Sequence, residues 1–282
     1  MQKIIVGFLI LFFSAASFAA EQPLQPEQKF QGFNLQGYKE DGEKSWDVNG
    51  DTADVRGSKV KLSNVDANAY GDQKMNVKAQ TGTLDQANGN MRLEKDVTVT
   101  SDQGTQLTTD SLDWNRTADI VTTDADVMIT DKRMTATGKG MQAHPSLKNA
   151  KIEKDVTVMV NTGQENAPLT DATKLVITSD GPMVIDQAKS VAIFRQNVLA
   201  TQVGRTLKAD IMEVYFDQNM KGVKQMICYG NVVIEQGENR TYADKATYDG
   251  IAQRLTLSGR PKLILMTEGN NGIASVGNKK SN

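Results

Sequence analysis

Short runs in which apolar and polar residues alternate recur along the chain from Trp46 onward. Examples are Val97-Thr98-Val99, Val127-Met128-Ile129 and Val156-Thr157-Val158. Alternation with a period of two is typical of a strand that has one buried face. Clusters of Gly, Asn and Asp separate the runs, as tight turns require. No stretch after residue 20 shows sustained helical periodicity, so the pattern predicts an all-β body.

The predicted strands repeat at intervals of 30, 29, 42 and 34 residues. Repeats of about 20–50 residues indicate units that bury their apolar faces by stacking on one another. A second element, an Asp followed by apolar residues two and four positions later, recurs at Asp110, Asp210 and Asp244. The repeated pairs of Asp or Asn with Val that open the strands are Asp96-Val97, Asp126-Val127, Asp155-Val156, Asn197-Val198 and Asn231-Val232.

The repeated Asp is expected to be a turn or bulge residue whose carboxylate accepts hydrogen bonds from nearby amides. Leu107 and Leu112 have opposite parity in the alternation, so an unbroken strand could not bury both. A β-bulge near Asp110 would restore the register. The same change of parity recurs around Asp210.

The first twenty residues have the layout of a secretory signal. Lys3 precedes the apolar run of residues 4–13, small residues follow, and Ser17 and Ala19 fit a cleavage site after Ala19. The alternative is an uncleaved membrane anchor, since residues 4–20 reach the short limit of about 17–25 for a spanning helix. Both interpretations predict that the rest of the chain lies outside the cytoplasm.

The remaining boundaries between parts of the chain follow from local composition. The longest interval between repeats contains a polar stretch at residues 161–168, which is the best internal boundary. The two halves that it separates are each large enough for a domain. The predicted parts are a signal peptide or anchor at 1–20, a linker at 21–39, β-halves at 40–165 and 166–267, and a disordered tail at 268–282.

Charge and residue usage exclude several classes of function. The chain has 32 Lys and Arg against 34 Asp and Glu, unlike the basic surface that binds nucleic acid. His144 and Cys228 are the only residues of their types and lie far apart, so nucleophilic and zinc sites are not expected. Residues 47–54 begin like a calcium loop, but Thr52 stands where Gly is needed and Ser58 where Glu is needed. We therefore expect a non-enzymatic protein without metal or cofactor.

Several elements, in order along residues 40–265, resemble two proteins of lipopolysaccharide transport. The first half resembles LptC, in Trp46 with Val48 and Ala53, Leu93–Val99, Gly104–Trp114 and Asp124–Ile129. The second half resembles the OstA-like domain of LptA, in Phe194–Val198, Leu207–Asp210, Tyr229–Val233, Ala243–Tyr248 and Leu255–Pro261. The chain departs from LptC in carrying both halves.

The resemblance implies an open, V-shaped β-jellyroll in two stacked halves, whose groove shields the acyl chains of lipid A from water. The implied partners are lipopolysaccharide, an inner-membrane ABC transporter and an outer-membrane LptD-like protein, the last two joined by edge-strand pairing. A ligand-free structural or adhesive β-solenoid is the alternative, as is a closed, dry core. The candidate groove residues are Val97, Val99, Trp114, Val127, Ile129, Val156, Val158, Phe194, Val198, Val232, Ile234 and Tyr248.

Overall fold

The computed structural model describes residues 27–266, except for 40, 72, 146, 163–169, 171–173 and 218–221. Within these residues the regular structure is entirely β, which confirms the predicted all-β class. The strands are β1 (Gln28–Tyr38), β2 (Lys44–Arg56), β3 (Lys59–Tyr70), β4 (Lys74–Asp85), β5 (Met91–Ser101), β6 (Gln106–Asn115), β7 (Ile120–Thr130), β8 (Met134–Ala143), β9 (Asn149–Asn161), β10 (Lys174–Ser179), β11 (Met183–Asp186), β12 (Val191–Gln202), β13 (Arg205–Phe216), β14 (Val223–Gln236), β15 (Asn239–Asp249), β16 (Arg254–Ser258) and β17 (Lys262–Ile264).

The strands form one antiparallel sheet whose spatial order follows the chain. From β1 to β9, each strand pairs with the next. Strands β10 and β11 both lie between β9 and β12, so they act as two parts of one interrupted strand. Strands β16 and β17 likewise lie end to end along β15. In the described part of the chain, the sheet therefore has β1 at one edge and β16 with β17 at the other.

The long strands are interrupted near their middles, and the interruptions line up across the sheet. The Asp or Asn that precedes the repeated Val has positive φ in several strands, as at Asp96, Asp155, Asn197 and Asn231. Asp and Asn tolerate this left-handed region better than other non-glycine residues. Because a bulge bends the strand that carries it, the aligned bulges fold the sheet along one line, which we call the corner.

The corner divides the sheet into two walls. The first wall contains residues 97–101 of β5 and 106–109 of β6, and the second contains residues 91–94 and 111–115 of the same strands. The other long strands divide in the same way. Residues from both walls belong to one apolar cluster, so the walls face each other across a shared interior.

Side-chain amides and carboxylates connect neighbouring strands at the corner. In each pair an Asn or Gln amide donates a hydrogen bond to an Asp carboxylate on the next strand. These bonds join the side chains of neighbouring strands at the bulges, which gives the Asp residues a structural role at the corner. The pairs are Asn64 with Asp51, Gln80 with Asp96, Asn197 with Asp180 at 2.7 Å, and Asn231 with Asp210 at 2.9 Å.

The predicted change of parity in β6 is confirmed. Leu107 and Leu112 are both buried, although an unbroken strand would place them on opposite faces. Asp110, between them, lies opposite Lys95 and Asp96, where β5 carries the extra residue of the bulge. The register change therefore involves the neighbouring strand as well as β6.

The structure differs from the sequence at the predicted linker. Residues 28–38 form β1, which pairs with β2, whereas a linker was expected over residues 21–39. Phe33 and Leu35 are two positions apart, point to the inward face and pack against the core, but most other side chains of β1 are exposed. Backbone pairing with β2 forms this strand, and two inward residues are too few to produce a recognisable pattern.

Among the described residues, no helix has the length and apolar character needed to cross a membrane. The candidate signal or anchor at residues 1–20 and the candidate tail at residues 268–282 lie outside the described residues.

Substitution of Gly230 by Ala should test the corner. Gly230 has φ of 71°, and an added Cβ would collide with the carboxylate of Asp210. We expect a loss of about 1–3 kcal/mol in the free energy of unfolding, measured by urea denaturation. Gly71→Ala is the control, because its added Cβ would meet nothing closer than 4.0 Å. Equal urea midpoints for the two variants would contradict the proposed constraint at the corner.

Candidate functional site

The inward faces of the two walls enclose an apolar interior. Its side chains are buried next to the corner and less buried towards the strand ends. Val232 and Cys228 flank the corner in β14, and each is 1% exposed. Ile234 and Met226, two positions further out on the two walls, are only half-buried. The interior is therefore closed at the corner, which we call the floor. Its side chains become partly exposed towards the strand ends, which we call the lips.

The candidate groove residues all have the parity of this inward face, but they occupy different depths. Val99 and Trp114 line a cavity between the walls, as described below. Trp114 and Ile234 are half-buried and pack against the core, and Tyr248 is half-buried in β15, where it pairs with Met226. Those buried in the core are Val97, Val99, Val127, Ile129, Val156, Val158, Phe194, Val198 and Val232.

A cavity of about 370 Å³ lies between the walls in the first half of the chain. This volume falls within the range of about 300–1,000 Å³ that small-molecule sites occupy. Strands β1 to β7 and the loop between β8 and β9 surround it. Its apolar lining includes Leu35, Trp46, Val48, Ala67, Val77 and Val99 from the first wall and Leu62, Leu84, Met91, Leu93, Leu112 and Trp114 from the second.

Most of the second-wall lining was missed by the sequence reasoning. The repeated Val lies in the first wall, but in β5 the buried Leu93 of the second wall lies four positions before Val97, in the same phase of the alternation. Leu93 and Leu112 follow the same period of two, counted from the other side of the corner. Continuing the alternation of β5 back from Val97 would have identified Leu93, and the change of parity around Asp110 already indicates Leu112.

Polar groups occur at the ends of the strands that line the cavity. Arg116, in the turn after β6, packs its side chain over Gly89, where an added Cβ would lie 2.7 Å from Arg116 Cδ. The Arg116 backbone N–H donates to Asn90 Oδ1 at 3.1 Å. Trp114 Nε1 is buried and has no hydrogen-bond partner among the described residues. The polar residues among those that line the cavity are Asp47, Asn68, Gln86 and Arg116.

Asp47, one of the residues that line the cavity, is a buried carboxylate with several hydrogen-bond donors around it. It accepts hydrogen bonds from Asn68 Nδ2 at 3.0 Å, Tyr70 Oη at 2.7 Å and Lys44 Nζ at 3.4 Å. The bond from Asn68, followed by that from Tyr70, holds the pKa of Asp47 below its ordinary value. Residues 47–54 lie within β2, so the segment that begins like a calcium loop is a strand. In the described part of the chain, no group of three or more His, Cys, Asp or Glu is placed to hold a metal.

Cys228 lies at the floor of the interior in the second half and is buried, as expected for a small core residue. Burial alone raises the pKa of its thiol from 9.0 to about 12. Desolvation disfavours the charged form, so the thiol stays protonated in the folded protein at neutral pH.

Comparison with protein-family models gives two matches. Residues 4–161 match a family described as lipopolysaccharide-assembly, LptC-related. Residues 176–278 match a family described as LptA/(LptD N-terminal domain) LPS transport protein. None of the curated proteins compared with the chain matches it. The two matched ranges agree with the resemblance of each half that the sequence indicated.

Cys228 should make stability depend on pH above 9. Between about pH 9 and 12 the unfolded chain releases a thiol proton that the folded protein retains, so the free energy of unfolding falls as pH rises. The slope should approach about 1.4 kcal/mol per pH unit beyond that of Cys228→Ala. Urea denaturation from pH 8 to 10 measures both slopes. Parallel slopes would show that the thiol is not buried from solvent.

Proposed function

The chain belongs to the LptC-related family of lipopolysaccharide-assembly proteins, and we propose that it shields the acyl chains of lipopolysaccharide between the two walls of its bent sheet. The observation that carries this proposal is the apolar cavity, which both walls line. Burying each CH₂ group of an acyl chain contributes about 0.8 kcal/mol, so a multi-chain lipid requires a continuous apolar surface to cross water. The proposed role requires no catalytic residue.

The continuity of the sheet supports a shared path through both halves. Strand β9 ends the range that matches the LptC-related family, and it pairs with both β10 and β11 of the second half. Core contacts continue across this junction, as where Ile152 lies opposite Met183 and Val158 opposite Ile177. One chain would therefore supply two consecutive links of a bridge.

The two edges of the sheet supply surfaces for partners. Strand β1 and the strand formed by β16 and β17 each have one unpaired side among the described residues, where another strand could add by β-augmentation. The second edge is unusually apolar for an exposed edge, since Leu255 is 45% exposed and Leu263 60% exposed. We propose that the partners at these edges are the inner-membrane ABC transporter and an outer-membrane LptD-like protein.

A bridge of this kind belongs in the periplasm. Residues 4–20 would serve either as a signal removed after export or as an anchor in the inner membrane. In both cases the sheet would stand between the membranes, where acyl chains need protection from water.

Photo-crosslinking in cells that make lipopolysaccharide tests the groove. A photoreactive residue at Val77 or Met91, which line the cavity, should crosslink to lipopolysaccharide on immunoblots. The neighbouring exposed positions Lys78 and Arg92 are the controls, since they have the opposite parity. Equal labelling of inward and outward positions would contradict a groove. Labelling of neither would favour a ligand-free structural protein.

Proline substitution tests pairing at the second edge. Successive N–H groups of a strand point to opposite sides, so either Leu255 or Thr256 directs its N–H away from β15. Proline at that position should abolish co-purification with one of the two proposed partners, the one that docks at this edge, and leave the urea midpoint unchanged. Proline at the other position removes a ladder hydrogen bond and should lower the midpoint. Unchanged co-purification with both variants would exclude this edge as the docking surface.

A further inference from the structure

The cavity between the walls ends at the connection between β8 and β9. Its lining comes from β1 to β7 with their turns and from Pro145 and Leu147 of that connection, and no described residue of β8 or β9 contributes. Val121 of β7 lines the cavity, whereas its register partner Ala143 on β8 does not. The sheet therefore continues into the second half, but the cavity stops between β7 and β8.

Buried side chains fill the interior beyond this point. In the second wall, Met141 of β8 and Ile152 of β9 are register partners and are 2% and 0% exposed. In the first wall, Ala136 and Val158 are also register partners and are buried. All four belong to the apolar core. A hydrocarbon chain that lies along the cavity would therefore meet packed side chains on the side of β8.

Leu147 belongs both to the cavity lining and to this packed region. It lines the cavity, is 7% exposed and is part of the apolar core. Its φ of 57° lies in the left-handed region, which a bulky residue rarely adopts. Such a conformation persists where the surrounding structure holds it. Burial of the leucine side chain in the core supplies contacts of this kind.

Hydrogen bonds hold this connection from both halves of the chain. The Leu147 N–H donates to the His144 carbonyl oxygen at 2.8 Å. His144 Nδ1 lies 3.1 Å from the carbonyl oxygen of Asp119, which precedes β7. On the other side, the Gln187 N–H, just after β11, donates to the Lys148 carbonyl oxygen at 3.0 Å. Leu147 is therefore fixed at the boundary between the cavity and the packed interior.

We propose that Leu147 is the end wall of the cavity and sets the longest hydrocarbon chain that fits within it. This inference rests on the proposed function, since it specifies how one acyl chain is accommodated. The chain lies across β1 to β7, and its terminal methyl group meets the leucine side chain. Other lining residues contact the chain along its sides and do not limit its length.

A series of saturated fatty acids that differ by one carbon tests the end wall. Both tryptophans of the chain line the cavity, so their fluorescence reports binding below the micelle concentration of each acid. Affinity should rise about fourfold with each added carbon and then level off when the chain reaches Leu147. In the unsubstituted protein, the terminal methyl group of the longest acid before this plateau should give an NOE to the Leu147 methyl groups.

Two substitutions at Leu147 should move the plateau. Leu147→Ala removes three side-chain carbons, so affinity should keep rising for chains about three carbons longer. Leu147→Gly also removes the side chain, and glycine adopts positive φ without steric cost. The glycine variant and the NOE therefore test the inference even if Leu147→Ala fails to fold.

Leu84→Ala is the matched control. It removes the same three carbons from the side of the cavity, since β4 lies midway between β1 and β7. This variant should weaken binding by a similar factor at every chain length and leave the plateau where it is.

The outcomes separate this inference from the proposed function. If the acids bind but the Leu147 variants keep the original plateau, or Leu84→Ala moves it equally, the end wall is excluded and the apolar cavity stands. Absence of the NOE would also exclude it. If no acid of any length binds, the acyl-chain cavity itself is excluded.

Discussion

The bend in the middle of each strand is the constraint on which the rest of the structure depends. A regular strand shows one face to one side, so a flat sheet of these strands could cover a core but could not enclose one. The bulges redirect each strand at the corner, and in β6 the parity of the inward residues changes there, so Leu107 and Leu112 face the same interior. The bend requires positive φ at residues such as Asp96 and Asn231, which costs on the order of 1 kcal/mol each. Hydrogen bonds between these side chains and the neighbouring strands stabilise the bend.

The gradient of burial follows from the same bend. Side chains next to the corner contact the opposite wall and are buried, as Val232 and Cys228 show. Side chains further out are separated from the opposite wall, so Met226 and Ile234 are less buried. An apolar cavity can therefore form between the walls without breaking the core that stabilises the sheet. Structural stability comes mainly from the floor, which leaves the residues towards the lips freer to contact a ligand.

The sequence predicts the strands and the first wall well, because the repeated Val follows each bulge directly. It predicts the second wall less completely: the change of parity between Leu107 and Leu112 indicates a bulge, but Leu93, four positions before Val97, is not among the candidate groove residues. The cavity depends on the distance between walls, which no local pattern encodes. Strand β1 gives only a weak strand pattern, because Phe33 and Leu35 are its only inward residues that pack against the core. The groove is expected from the family resemblance, because the alternation of apolar and polar residues alone does not distinguish an open groove from a filled core.

A carrier must hold its lipid without trapping it, and this limits how strongly any one position can bind. An apolar lining of the kind seen here gives similar free energy at successive positions along the interior, so a chain can slide with little net change. A network of several buried polar groups would instead create a deep minimum. An apolar lining without such a network can therefore hold an acyl chain and still release it onward.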